Sequence, residues 1–193
     1  MSGKAFLQNI YASSDLETFG NSFDAVKKSA FRLEMLDLYT IPEEAEFYNS
    51  YLAGIKTIPN NFNKEWLSLV QTGTANEIVF QRVRLVREPM HSYVKFEIAW
   101  GYSQSVKAGE KIGIIMYDNM PLFETQVPIL KDFWLFDNET CYLMEYDLIG
   151  QFLGVKKLPA EYIHYYISLK EEALKKSVDI KKTKLWSCSV ELR

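Results

Sequence analysis

The stretch Asp132–Leu158, DFWLFDNETCYLMEYDLIGQFLGVKKL, decides the reading of the fold. Three short apolar runs, 133–136, 141–146 and 152–158, are separated by turn-forming residues. At the first break, Asp137 and Asn138 carry side chains that bond to their own backbone and tolerate left-handed geometry. The second, Asp147-Leu148-Ile149-Gly150, ends in a glycine free to take positive φ. Aromatic and β-branched content with connections this short predicts a three-stranded antiparallel meander. Three strands with one apolar face can anchor a domain where an isolated hairpin cannot.

Working outward, period-two alternation predicts further strands near 31–38, 78–86 and 112–117. In the first, Phe31, Leu33 and Met35 point one way and Arg32, Glu34 and Leu36 the other. In the second, Arg82 and Arg84 interrupt one face while Val83 and Leu85 fill the opposite one. Helices are expected at 42–53, opened by Pro42-Glu43-Glu44 with Thr40 as cap, and at 62–72. A third, at 160–177, carries Tyr162, Ile163, Tyr166, Ile167, Leu169 and Leu174 on one side. Residues 92–100 fit both a strand and one helix face, and a start after Pro89 favours the helix. Residues 1–20 are weakly patterned, with Gly20 as a break and a short helix capped by Ser22 or Asp24 running to Lys28. The result is an α+β fold: an antiparallel sheet centred on the meander, with the helices packed on one face. The expected organisation is an N-terminal extension (1–21), a single domain (22–178), and a basic linker with a strand-like arm (179–193).

Composition removes several function classes. The 193 residues carry a net charge of −3, so no general attraction to nucleic acid is built in and direct binding is not expected. Two cysteines give neither a disulfide framework nor metal-ligand spacing, which points to a cytoplasmic setting, with no metal and no cofactor. Nothing approaches the run of about 20 apolar residues that crosses a bilayer. The Gly-rich, P-loop, GxSxG, HExxH and CxxC signatures are all absent. Aromatic residues make up 15% of the chain, suited to a large core and to half-buried surfaces.

What remains are two constellations. Arg32, Glu34, Arg82, Arg84, His91 and Glu97 form a candidate anion or polar cluster if their strands are neighbours, because the arginine fork suits carboxylate and phosphate alike. The structural alternative, an ion-pair cluster across one sheet face, is the favoured reading. His91 sits at a helix start, and His164 lies on a half-exposed helix side. Among the carboxylates near the meander only Glu145 has no explanation as a turn residue. The second constellation is a candidate interaction arm, Trp186, Cys188, Val190 and Leu192, which places four apolar side chains on one face of a terminal strand. Such a strand should pair with its own sheet or with a second copy.

Ser29-Ala-Phe-Arg-Leu-Glu34, Tyr39 to Pro42-Glu43-Glu44, Arg82-Val-Arg84 to Glu88-Pro89, Phe96-Glu97, Ala108-Gly109-Glu110, and Asp132-Phe-Trp-Leu-Phe-Asp137 with Tyr146 and Gly150 occur in this order. In order and spacing they resemble an uncharacterised bacterial family, a domain of unknown function, over residues 22–178. The resemblance implies a small cytoplasmic protein in a regulatory or toxin–antitoxin-like setting, since members are often encoded near Xre-type helix-turn-helix regulators. It carries over no catalytic residue. The expected function is therefore a non-enzymatic regulatory or protein-interaction module, with a protein partner, a transcription regulator among them, and homodimerisation as a further possibility. The alternative is a hydrolase or nuclease-like enzyme built on the Arg/Glu cluster.

Overall fold

The computed structural model describes residues 13–117 and 123–186. Its centre is the expected meander: β4 (Phe133–Phe136), β5 (Thr140–Tyr146) and β6 (Phe152–Lys157), paired antiparallel in sequence order. The first turn places Asp137 and Asn138 at φ +53° and +60°. That is the mirror-image turn geometry whose twist matches the flanking strands. Asp137 does more than turn the chain. Its carboxylate accepts from the backbone N–H groups of Lys27, Lys28 and Ser29 and thereby fixes the entry to β1 (Ser29–Glu34).

The rest of the sheet departs from the antiparallel expectation. β1 pairs antiparallel with β4 but parallel with β2 (Val79–Val86), and β2 pairs parallel with β3 (Lys111–Met116). A two-residue strand, β7 (Val178–Asp179), pairs antiparallel with the outer side of β3. Among the described residues the sheet is seven-stranded and mixed, in the order β6-β5-β4-β1-β2-β3-β7. Parallel pairing follows from the connections. The chain between β1 and β2, and again between β2 and β3, is long and helical, and returns it to the same end of the sheet.

Six α-helices accompany the sheet in the described residues. They are α1 (Ser13–Ala25), α2 (Ala45–Leu52, after a 3-10 turn at Pro42–Glu44), α3 (Lys64–Ala75), α4 (Ser92–Phe96), α5 (Ser103–Ala108) and α6 (Ala160–Lys176). A π-helical stretch, Glu97–Tyr102, joins α4 to α5, so the ambiguous segment is helical throughout.

The helices cover both faces of the sheet rather than one. α6 lays Ile163, Tyr166, Leu169 and Ala173 on Phe31, Leu33, Val83, Leu85, Phe133, Leu135, Cys141 and Leu143. On the opposite face, α1 and α3 pack Phe19, Phe23, Trp66 and Val70 against Phe80, Trp134, Phe136 and Tyr142. The physical reason is that both faces are apolar over most of their area, so both need cover. α1 runs through Gly20 without a break and crosses position 21, the expected end of the extension. At the other end, residues 179–182 dock instead of forming a free linker: Ile180 is fully buried beside Ile112 and Ile114. Thr40 does not cap the following helix. Its hydroxyl donates to the Ile149 carbonyl at 2.7 Å and its N–H to that of Gly150 at 2.9 Å, tying this segment to the meander tip.

Candidate functional site: a buried arginine–carboxylate cluster at the floor of an aromatic cavity

Register brings the predicted residues together. Arg32 lies opposite Arg82, and Glu34 opposite Arg84, across the parallel β1–β2 pair. Because side chains alternate along a strand, all four project to the α1/α3 face. Glu34 is the hub, fully buried. Its Oε1 receives Arg32 Nη2 and Arg82 Nη1, each at 2.9 Å, and its Oε2 accepts from the Tyr102 hydroxyl at 2.6 Å and lies 3.6 Å from Arg84 Nη1. Arg82 also reaches Glu110 through Nε at 2.8 Å. Arg84, fully buried, contacts Glu97 at 3.1 Å and donates to the Leu36 carbonyl at 2.6 Å. Tyr39 donates to Asp132, which also accepts from the Met35 N–H at 2.9 Å.

Five of the six predicted cluster residues therefore meet, and His91 does not. It is exposed, and its Nδ1 accepts from the Tyr93 N–H at 3.1 Å as the N-cap of α4. The sequence reading missed Tyr102, Glu110, Tyr39 and the role of Asp132. Glu145, unexplained by sequence, is buried and pairs with Lys131. In the candidate arm, Trp186 packs near Ile180 and Ile112 within a helical turn at 184–186; Cys188, Val190 and Leu192 lie outside the described residues.

The electrostatics separate the carboxyls. Burial works to raise Glu34, but Arg32, Arg82, Arg84 and the Tyr102 hydroxyl hold it at about 2. Burial pushes Glu97 up to about 8; Arg84 opposes this, while Glu34 and Glu44 add to it. Asp132 is pushed up to about 6 by burial against the pull of the Tyr39 hydrogen bond, and burial raises Glu44 as well. Glu34 has the guanidinium groups around it on three sides, and Glu97 reaches only one of them. That difference in neighbours sets the two acids apart.

Above this cluster lies a cavity of about 300 Å³. Its polar floor includes Arg32, Arg82, Glu97 and Tyr102, and its walls include Phe19, Phe23, Trp66 and Trp134. The π-helical stretch contributes Glu97, Gly101 and Tyr102 to the lining. Single π turns inside α-helices recur at functional sites, where the wider winding re-aims side chains. No group of three or more His, Cys, Asp or Glu side chains among the described residues is placed to hold a metal ion. No helix among them is long and apolar enough to cross a membrane.

A β1 strand with its arginine and glutamate on one face, the arginine pair of β2, and the Asp132-to-Asp137 start of the meander are thus the structural counterparts of the motifs read from the sequence. Residues 17–184 match a family described as a domain of unknown function, DUF6879, and the chain belongs to that family. No curated protein matches the chain.

Proposed function

We propose that the protein is a non-enzymatic regulatory interaction module whose partner is a protein engaged at the tip and outer edge of the meander. The carrying observation is an apolar hairpin tip that is held rigidly and yet left open. Asp147 accepts from the N–H groups of Ile149 and Gln151 at 2.9 and 2.8 Å, and Thr40 pins the carbonyls of Ile149 and Gly150 from the side. Gly150 sits at φ +78°, where an added Cβ would stand 2.3 Å from the Leu38 carbonyl oxygen, so the turn accepts nothing larger. On this fixed backbone Leu148 is fully exposed, Ile149 mostly so, and Phe152 and Leu153 in part.

Exposed apolar side chains grouped on a rigid turn lose little entropy on docking, and such groups mark contact sites. β6 is also the outermost strand, and beyond the Thr40 bridge at Gln151 its edge can take an added strand from a partner. The far end of that edge is already occupied, since the Lys157 N–H is bound to Asp15 at 3.2 Å. The buried cluster supports the same reading, because each of its glutamates, Glu34, Glu97 and Glu110, is paired with an arginine and none is left as an acid or base for catalysis. The regulatory setting implied by the family resemblance makes a transcription regulator the first partner to test.

The test is affinity capture from the native host, with nuclease treatment, comparing the wild type with a Leu148→Asp/Ile149→Asp variant. The expected result is a stoichiometric protein partner retained by the wild type and lost by the variant, with the thermal midpoint unchanged. A partner held equally by both, or one lost on nuclease treatment, would remove this reading.

A further inference from the structure

The cavity carries an inference independent of the meander tip. Among the three arginines of the cluster, Arg32 is the least engaged. Arg82 commits Nε and Nη1, and Arg84 bonds the Leu36 carbonyl while contacting two glutamates. Arg32 is joined to a carboxylate through Nη2 alone; its Nε is buried without a hydrogen-bond partner among the described residues, as are Nε and Nη1 of Arg84, but of these two arginines only Arg32 reaches the cavity. Its side chain is 16% exposed, against 8% and 0% for the other two, and it lines the cavity. Each guanidinium brings five N–H donors, so the cluster is rich in donors and short of acceptors. A buried donor left unmatched costs free energy, which an incoming acceptor recovers.

The walls specify the rest of the ligand. Phe19, Phe23, Trp66 and Trp134 pack on one another and line the space as one aromatic wall, suited to a flat apolar body. Two carboxyl groups, Glu44 and Glu97, share the lining, so a dianion would be repelled more strongly than a monoanion. A volume of about 300 Å³ lies at the lower end of the range for small-molecule sites.

We propose that this cavity binds a small aromatic monocarboxylate, its carboxylate on Arg32 and its ring against the aromatic wall that Phe19, Phe23, Trp66 and Trp134 form together.

The pH dependence has a definite sign. Glu34, held at about 2, and Asp132, at about 6, are ionised at neutral pH, and the tyrosines of the floor, Tyr39 and Tyr102, are pushed above their ordinary range by burial. Glu97, pushed up to about 8, is largely protonated at pH 7 and loses its proton as the pH rises through that value. Its new negative charge then opposes a bound anion, so affinity for a carboxylate falls between pH 7 and pH 9.

The experiment uses the full chain with four probes, phenylacetate, 2-phenylethanol, phenethylamine and inorganic phosphate. Binding is read by tryptophan fluorescence, since Trp66 and Trp134 line the site, and by thermal shift. Phenylacetate should bind best and lose affinity from pH 7 to pH 9. Arg32→Gln should weaken it by roughly tenfold to a hundredfold, the scale of a lost charge-assisted hydrogen bond. Glu34 keeps Arg82 and Tyr102 in that variant, so the fold has support. If the variant fails to fold, the probe ranking and pH profile of the wild type decide alone. Preference for phenethylamine or phosphate, equal binding by a folded Arg32→Gln variant, affinity that rises toward pH 9, or a cavity that takes none of the probes would each overturn the proposal.

Discussion

The two faces of the sheet are built from the same strands and solve opposite problems. Toward α6, β1, β2, β4 and β5 present Phe31, Leu33, Val83, Leu85, Phe133, Leu135, Cys141 and Leu143, all buried and all apolar. One residue along, the same strands present Arg32, Glu34, Arg82, Arg84, Trp134, Tyr142 and Met144 to the other side. The first face is a dry core, in which close packing supplies stability. The second buries ionic groups, which add little net stability when paired but cost a great deal when a partner is removed. The second face is where the cavity opens.

The largest effects should come from breaking each face in turn. Phe133→Ala, which empties part of the core under α6, is expected to cost about 3–5 kcal/mol. Arg82→Ala, which takes one guanidinium from Glu34 and, among the described residues, the only arginine from Glu110, should cost a similar 3–5 kcal/mol. Acid separates the two. Glu34 has a folded pKa below its unfolded value, so its contribution is complete above the unfolded pKa and is lost as pH falls toward about 2. Without Arg82 that advantage shrinks, and Glu34 takes up a proton more readily. Chemical denaturation at about pH 7 and pH 4 should therefore show the Arg82→Ala penalty shrinking in acid and the Phe133→Ala penalty unchanged. A penalty for Arg82→Ala that does not depend on pH would mean packing, not charge, holds this face together.

An effect of opposite sign is expected at Glu97. Its folded pKa, about 8, lies above the unfolded value, so its stabilising effect is full at low pH and is lost as pH rises through about 8. Glu97→Gln fixes the neutral form and should raise stability at about pH 9 by on the order of several kcal/mol, with little change at about pH 5. Thermal midpoints across this range test it. A variant less stable than wild type at pH 9 would show that the Arg84 contact outweighs burial.

How much of this was legible in the sequence follows from the range of each interaction. The meander was readable because its strands are neighbours in sequence and Asp137, Asn138 and Gly150 announce the turns. The alternation of Arg82 and Arg84 with Val83 and Leu85 likewise assigned each to a face, and the pairing with Arg32 and Glu34 followed once β1 and β2 were adjacent. Their parallel direction was not read, although strands separated by helical segments carry that signal. Covering helices on one face alone was an error of the same kind, because both faces of these strands are largely apolar. Glu110 sits in the connection before β3, outside any period. Tyr102 lies in a π-helical stretch, where a wheel drawn at 3.6 residues per turn misplaces side chains. His91 follows the arginine strand closely in sequence, but a helix start needs an acceptor and its imidazole serves that purpose.

The finest distinction between the faces needs no loss of stability. Cys141 and Met144 both lie on β5 and project to opposite sides. Cys141 is completely buried under α6, and burial raises its thiol well above the ordinary range, so little thiolate forms. Met144 lines the cavity. In a Cys188→Ser background, iodoacetamide at about pH 8 should modify Cys141 only as fast as the whole molecule unfolds, because no smaller opening exposes the centre of a packed face. A Met144→Cys substitution, made together with Cys141→Ala, should instead be modified in the folded state, and phenylacetate should protect it if the cavity binds that acid. Equal, slow modification at both positions would mean the cavity is closed to solutes of this size. Rapid modification of Cys141 would mean that α6 lifts from the sheet without global unfolding, and the contrast between a dry face and an open one would fail at its simplest point.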